Sequence, residues 1–240
     1  MTFSNFDFSY CPVLAEMLAS NSAVDSKGNV HSAFGLSTAN NLVVLRNLQL
    51  QFKATATLEV GLSMGASALV LTQSHRDLGH VAAEQHVAID PWQEHMLSSL
   101  GIHAVERAGL SPYLKFVGQT SDLALPSLLE QGRRFGLIYV DGSHWFEDVF
   151  LDCHYSNHLL ELGGIVLFDD SADPNIGKVL TFIRRNMRYA LSEIDLSPYR
   201  ADQGKSLRYR IGKATGRSQL TAFRKIGEGR RPLAHTTRKF

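Results

Sequence analysis

Four side chains near the middle of the sequence have the types and spacing to move a proton or hold a cation: Asp141, His144, Asp169 and Asp170. Asp141 follows the apolar run 137–140, and the Asp169–Asp170 pair follows the run 165–168. If those runs are neighbouring strands, three carboxylates meet at one rim. Like charges so close are unfavourable unless a proton or a cation is shared among them. Oxygen ligands of this kind suit Mg2+, Ca2+ or Mn2+ rather than a soft metal. The alternative is that Asp169 or Asp170 caps the loop SADPN. His144 stands three residues beyond Asp141 in DGSHWFED. A neutral imidazole there could take the proton of a hydroxyl near pH 7, or it could simply pack beside Trp145 at the start of the next helix.

A second group lies earlier, in TLEVGLSMGAS and VAIDPW. Gly61 and Gly65 let a backbone approach a ligand closely, and a helix beginning near Ala66 aims free N–H groups at a negative group. The spacing is neither GxGxxG nor a P-loop, and a tight structural turn is the competing reading. Asp90, at the tip of the run 86–89, is placed to accept from both hydroxyls of a ribose, or else to cap the following helix.

These residues need a scaffold that brings them to one edge. From residue 55 the chain alternates short apolar runs with helical stretches, the pattern of a parallel sheet with crossover helices. The runs are 57–60, 86–89, 114–117, 137–140 and 165–168. Helices are expected over 67–80, 94–108, 121–131 and 146–162, the last stopped by Gly163 and Gly164. A helix over 176–188 and strands over 189–194 and 220–226 complete the reading. The expected fold is α/β: a Rossmann-like, seven-stranded, mostly parallel sheet with an antiparallel closing strand and helices on both faces. Ligands of such sheets sit outside the carboxyl ends of the strands, where strand order reverses. Residues 1–50 read as an N-terminal helical or lid region, with a helix from Pro12 to Leu18, a polar loop NSAVDSKGN and a second helix capped by Ser37.

Composition bounds the rest. At 240 residues, 44% hydrophobic and 20% charged, the chain is long enough for one α/β domain and has no apolar run able to span a bilayer. The start MTFSNFDFSYCPV lacks the features of a secretory signal, and only Cys11 and Cys153 are present, so a reducing, cytoplasmic setting is expected. The formal charge of +1 is unevenly spread: residues 1–199 hold 12 Lys and Arg against 21 Asp and Glu, and residues 200–240 hold 12 against 2. Such a basic end can contact nucleic acid or an anionic surface. Its alternation over 205–226 also suits an edge hairpin, with 227–240 as a basic tail lacking fixed structure. Phe3, Phe6, Phe8 and Tyr10 alternate in a way that could cover an acceptor or bury against a second subunit.

Taken in order, LEVGLSMGAS, AIDPW and FGLIYVDGSHWFEDVFLDCHYSNHLLELGGIVLFDD resemble class I S-adenosylmethionine-dependent methyltransferases, and among them the small-molecule O-methyltransferases related to the caffeoyl-CoA and macrocin families. The resemblance runs from Thr57 to Asp170, about half the chain. It implies S-adenosylmethionine as cofactor, with Glu59, Gly61 and Gly65, and Ser63 and Ser67 of the same loop, along its methionine end. It further implies Asp90 on the ribose, Ser121 and Asp122 near the adenine, and Asp141 close to the reacting centre. Metal-dependent members imply Asp141, Asp169 and Asp170 as ligands of Mg2+ or another divalent cation, with His144 as base. The expected partner is a small-molecule acceptor, with a homodimer through the N-terminal region as a further candidate. A nucleic-acid substrate is disfavoured, because DGSH stands where an amine-methylating Pro-Pro-Tyr or Pro-Pro-Phe motif would be. A non-catalytic, ligand-binding descendant of the fold is the other alternative, and nothing in the cofactor loop looks damaged.

Overall fold

In a computed structural model, the structure describes residues 6–215, 218–228 and 237–240. The sheet has the expected strands: β3 (Thr57–Val60), β4 (His86–Ile89), β5 (Leu114–Val117), β6 (Phe135–Val140), β7 (Leu160–Phe168), β8 (Leu191–Glu193) and β9 (Thr221–Lys225). Their order is β5-β4-β3-β6-β7-β9-β8, and strand order reverses between β3 and β6. β3 to β7 pair in parallel; β9 runs antiparallel to both β7 and β8. The central strands read as continuous apolar runs because helices cover both faces.

On one face lie α1 (Pro12–Ser20), α2 (Ala39–Phe52), α3 (Ala66–Asp77) and α4 (Leu100–Arg107). They pack on Ala88, Leu137, Tyr139, Ile165 and Leu167. On the other face α5 (Ser121–Glu130), α6 (Phe146–Leu159) and α7 (Pro174–Asn186) cover Leu58, Val60, Ile138, Val140 and Val166. The alternation of faces along each strand sends Leu58 and Val60 one way and Thr57 and Glu59 the other. Glu59 is thereby a fully buried carboxylate in the α3 layer.

Several boundaries differ from the sequence reading. NSAVDSKGN supplies β1 (Ser22–Val24) and the turn of a small antiparallel hairpin completed by β2 (Val30–Ser32), the turn being held by Asp25 accepting from the Lys27 and Asn29 amides. The cap of α2 is Thr38, accepting from Asn41 N; Ser37 points elsewhere. Residues 91–99 are turns, so α4 begins at Leu100 rather than at 94. Gly163 and Gly164 do not stop a helix. They lie inside β7, where a side chain on Gly164 would press on the Gly136 carbonyl of the neighbouring strand, 3.1 Å from its Cβ position. The expected edge hairpin over 205–226 is instead α8 (Leu207–Ala214) followed by β9, an interior strand; β8 is the edge. The N-terminal aromatics serve the fold itself: Phe8 is buried in the core and the Arg46 guanidinium lies over the Tyr10 ring at 3.6 Å, while Phe3 lies outside the described residues. Of the tail, residues 229–236 lie outside the described residues, but Phe240 packs on Phe182 of α7 and Arg185 donates to the Lys239 carbonyl at 2.7 Å. Both cysteines are free and buried. Among the described residues, no helix is long and apolar enough to cross a membrane.

Candidate active site

The turn after β3 is packed against its neighbours on two sides. A Cβ on Gly61 (φ +93°) would stand 2.1 Å from the Asp141 carbonyl oxygen, and one on Gly65 (φ +86°) would stand 2.7 Å from the Gly101 carbonyl oxygen. Both glycines are therefore required by close approach of protein backbone and by positive φ, as a tight structural turn demands. Asp90 holds that turn in place. Its Oδ2 accepts from Leu62 N at 3.2 Å, Ser63 N at 2.8 Å and Gln93 Nε2 at 3.2 Å, and its Oδ1 accepts from Trp92 N at 2.8 Å. Its role in the folded chain is that of a clamp on four donors. Gln93, which the sequence did not single out, completes the clamp by donating to Ser63 O at 2.6 Å and accepting from Gly101 N at 3.1 Å. Ser67 is buried on the first turn of α3.

Glu59 differs from Asp90. Neither of its carboxylate oxygens has a hydrogen-bond donor, although His86 Nε2 lies 3.2 Å from Oε1, close but off the hydrogen-bond direction. A buried carboxylate without donors is costly and fits a site completed by a cationic or N–H-bearing ligand.

The rim of β6 and β7 brings Asp141, Asp169 and Asp170 together, as the sequence implied, and adds three residues it did not. Ser37 Oγ donates to Asp141 Oδ2 at 3.0 Å and also lies 3.0 Å from the Tyr139 hydroxyl. Tyr139 donates to Asp169, and Asn41 Nδ2 donates to Asp169 Oδ1 at 2.7 Å. Ser37 and Asn41 come from the N-terminal region, which thus supplies polar groups to the rim. Burial, reinforced by the Asp169 charge, pushes the Asp141 carboxyl well above the usual carboxylate range; burial also raises Asp169. Both acids therefore take up protons more readily than isolated carboxylates do. Burial next to both acids drives the Tyr139 hydroxyl well up as well, so it stays a donor.

Asp170, in a left-handed conformation (φ 45°), accepts from Gln219 and lies 3.2 Å from His144 Nε2. Asp173, which caps α7, is 3.7 Å from His144 Nδ1, and Asn175 Nδ2 holds the His144 carbonyl at 3.1 Å. His144 is thus an exposed imidazole oriented by two carboxylates. A small cavity is lined by Asp141, Gly142, Ser143, His144, Asp169 and Asp170. The three carboxylates as placed do not fit a metal centre. Each is engaged by hydroxyl, amide or imidazole groups, and among the described residues no group of three His, Cys, Asp or Glu side chains is arranged to hold a metal ion. A larger cavity of about 390 Å³ opens at the opposite end of the sheet, between Arg134, His158, Phe182 and Glu228, and contains none of these residues.

Of the residues implied near an adenine, Asp122 is exposed on the first turn of α5. Ser121 faces Asp152 of α6, a buried acid that the sequence reading passed over. Burial pushes Asp152 up to about 7, against a partial offset from the Ser121 hydroxyl. Around the carboxyl edge Phe34, Trp92, Met96, Leu123 and Trp145 are large apolar side chains left exposed.

Residues 58–171, the segment that carries both the β3 turn and the acidic rim, match the family model described as a methyltransferase domain. The chain carries a methyltransferase domain. Three solved structures similar to most of the chain are distant from it in sequence. The O-methyltransferase TomG from Streptomyces achromogenes, in complex with SAM, is 17% identical with a TM-score of 0.62, covering 90% of each chain. Cofactor-bound Rv0187 from MTB is 16% identical with a TM-score of 0.64, covering 90% of this chain and 91% of its own. The O-methyltransferase from Bacillus cereus, in complex with SAH, is 14% identical with a TM-score of 0.61, again covering 90% and 91%. At these identities the likeness is one of fold, and at 90% coverage it extends beyond residues 58–171. No curated protein matches the sequence.

Proposed function

We propose that this protein transfers a methyl group from S-adenosylmethionine to a hydroxyl of a small, partly apolar acceptor. The observation that carries the reading is the buried Glu59 carboxylate with no hydrogen-bond donor, at the end of the strand where sheet order reverses, inside the segment matching a methyltransferase domain. A group bearing cationic nitrogen satisfies it, and the methionine end of S-adenosylmethionine is such a group. The complexes of TomG with SAM and of the Bacillus cereus enzyme with SAH support the same cofactor here.

When bound, the cofactor supplies an electrophilic methyl group. The chain's own part is to position the acceptor and take its proton. Gly61 and Gly65 keep the turn flat against the Asp141 and Gly101 backbones, and Asp90 and Gln93 fix that turn by their hydrogen bonds. His144 is exposed, and the Asp170 and Asp173 carboxylates beside its two ring nitrogens would stabilise it once it takes a proton, which suits a general base. Asp141, raised well above the usual carboxylate range by burial and the Asp169 charge, takes up a proton more readily than an isolated carboxylate, which lowers the negative charge facing the acceptor. The exposed Trp92, Trp145 and Phe34 favour an acceptor with an apolar or aromatic body. Because the three carboxylates are engaged within the chain, no step is assigned to a divalent ion.

The test is methyl transfer from isotopically labelled S-adenosylmethionine to a panel of small phenols, catechols and aliphatic alcohols, with arms containing Mg2+ and EDTA. Transfer in both arms, abolished in His144→Ala, is the expected result. Transfer only with Mg2+ would restore the metal to the mechanism. Labelling of amines but of no hydroxyl acceptor would contradict the reading.

A further inference from the structure

Beneath the β3 turn runs a continuous line of polar side chains. His80, partly exposed after the end of α3, places Nδ1 2.8 Å from Nδ1 of His75. His75, fully buried, places Nε2 2.9 Å from the Thr57 hydroxyl. The same hydroxyl lies 2.9 Å from Nδ1 of His86, and His86 Nε2 faces Glu59 at 3.2 Å. Three elements contribute: β3 (Thr57, Glu59), β4 (His86) and α3 with its following turn (His75, His80). The spacing of Thr57 and Glu59, two apart on β3, and the register that sets Thr57 opposite His86 put all of them on one face of the sheet.

Each contact between two nitrogens or between a nitrogen and the hydroxyl can hold only one hydrogen, so the donor at one end determines every donor along the line. Two arrangements satisfy all the contacts. In the first, His80 Nδ1–H donates to His75 Nδ1, His75 Nε2–H donates to Thr57, Thr57 donates to His86 Nδ1, and all three imidazoles are neutral. In the second every donor is reversed, His80 carries its hydrogen on Nε2, and His86 is an imidazolium. They differ by one proton.

We propose that His80, His75, Thr57 and His86 form a proton wire, and that they are positioning residues of the cofactor site, setting from the surface the charge that stands beside Glu59. A proton from water adds to His80 Nε2. The His80 Nδ1 hydrogen passes to His75 Nδ1, the His75 Nε2 hydrogen passes to the Thr57 oxygen, and the Thr57 hydrogen passes to His86 Nδ1. One proton enters, one imidazolium appears beside Glu59, and no other group changes charge. Burial together with the neighbouring His86 and His80 lowers His75 to about 3, in keeping with a ring that relays a proton without retaining it.

The other charged or titratable groups on the surrounding elements have their own engagements. Arg46 of α2 bonds Asp77 at 2.7 Å and Ser74 at 3.3 Å, and Arg76 donates to Gln73. Tyr139 of β6, opposite Glu59 in register, donates to Asp169. Glu16 of α1 meets Arg107 of α4 at 2.8 Å, and His103 meets Glu106 at 3.2 Å. Lys115 lies on β5, beyond β4, and Tyr113 lies in the turn before β5.

The consequence for the cofactor rests on the function proposed above. With His86 charged, Glu59 is compensated and a cationic ligand is repelled; with His86 neutral, Glu59 is free to hold it. Binding of the methionine end then expels one proton along the wire to His80.

Nitrogen-15 spectra of the imidazoles in the ligand-free protein, titrated between about pH 5 and 9, test the wire without reference to any cofactor. The expected result is a single transition in which His86 becomes an imidazolium while His75 and His80 each exchange one neutral tautomer for the other. In His80→Gln and Thr57→Val the His75 tautomer no longer changes together with His86. A His75 tautomer that stays fixed while His86 titrates, or an imidazolium that forms on His80 with His86 unchanged, overturns the proposal. Calorimetry with S-adenosylhomocysteine in buffers of different ionisation enthalpy adds the second arm. Release of up to one proton on binding is expected in the wild type and is lost in Thr57→Val. A linked tautomer change without S-adenosylhomocysteine binding would leave the wire standing and remove the cofactor reading. Binding with no proton released at the pH of the transition would separate the wire from the site and overturn its role there.

Discussion

Asp90 and Asp141 occupy equivalent places, each just past the carboxyl end of a central strand, yet their surroundings are opposite. Asp90 is met by three backbone N–H groups and one side-chain amide. Asp141 is met by a hydroxyl and stands near a second acid, Asp169, within a cluster that also contains Tyr139. The same residue type at the same topological position is therefore a structural clamp at β4 and a proton-holding group at β6. Strand position alone does not assign a role; the supply of donors does.

Removing each carboxylate separates the two roles. Asp90→Ala leaves the Leu62, Ser63 and Trp92 amides without their acceptor, and each buried unpaired donor costs about 1–3 kcal/mol. A loss of several kcal/mol in urea unfolding is expected, and a variant as stable as the wild type would break the comparison. At the rim the chemistry should fail without the fold failing. His144→Ala is expected to lower kcat by about 10²- to 10⁴-fold with S-adenosylhomocysteine affinity unchanged. An unchanged kcat would return His144 to a packing role.

Asp152 supplies a third case, a buried acid faced by the Ser121 hydroxyl. Its carboxyl rises to about 7 in the folded chain from 3.8. A raised folded value means that the proton stabilises the fold, fully so below the unfolded value, and that this stability is lost as pH climbs through the folded one. Between about pH 4 and 7 the wild type should lose on the order of 4 kcal/mol relative to Asp152→Asn, read as diverging Tm curves. Parallel curves would show that Asp152 is solvated. The same sign holds at Asp141, which is also raised. Asp141→Asn should gain stability relative to the wild type as pH rises from acid to mildly alkaline, read from the same Tm curves and opposite in direction to the change at Asp90.

The sheet was legible because five apolar runs of strand length, each followed by a helical stretch, leave few other arrangements, and the carboxyl-edge rule then located Asp90, Asp141, His144 and Asp169. Boundaries failed where local signals have two meanings. Gly163 and Gly164 look like a helix stop, but they lie inside β7, where Gly163 takes a positive φ and Gly164 allows close packing against β6. The alternating basic segment reads as a strand but forms α8, the side-chain period of β9 alone being that of a strand. Ser37, Asn41 and Gln93 were hidden for another reason. Ser37 acts on Asp141 and Asn41 on Asp169 across more than a hundred residues, and Gln93 ties the β3 turn to Asp90 and Gly101; nothing in the spacing of a single chain announces such pairings. The histidines at 75, 80 and 86 likewise have no motif spacing, and only the register of β3 with β4 and the path of α3 bring them into line.

The most direct test of the account is calorimetric titration of the wild type and of Glu59→Gln with S-adenosylhomocysteine at neutral pH, with and without Mg2+. Binding near micromolar, weakened at least about tenfold in Glu59→Gln and indifferent to Mg2+, is the predicted result. Absence of binding by the folded wild type in every condition would contradict the central claim that this fold holds S-adenosylmethionine at the carboxyl edge of its sheet.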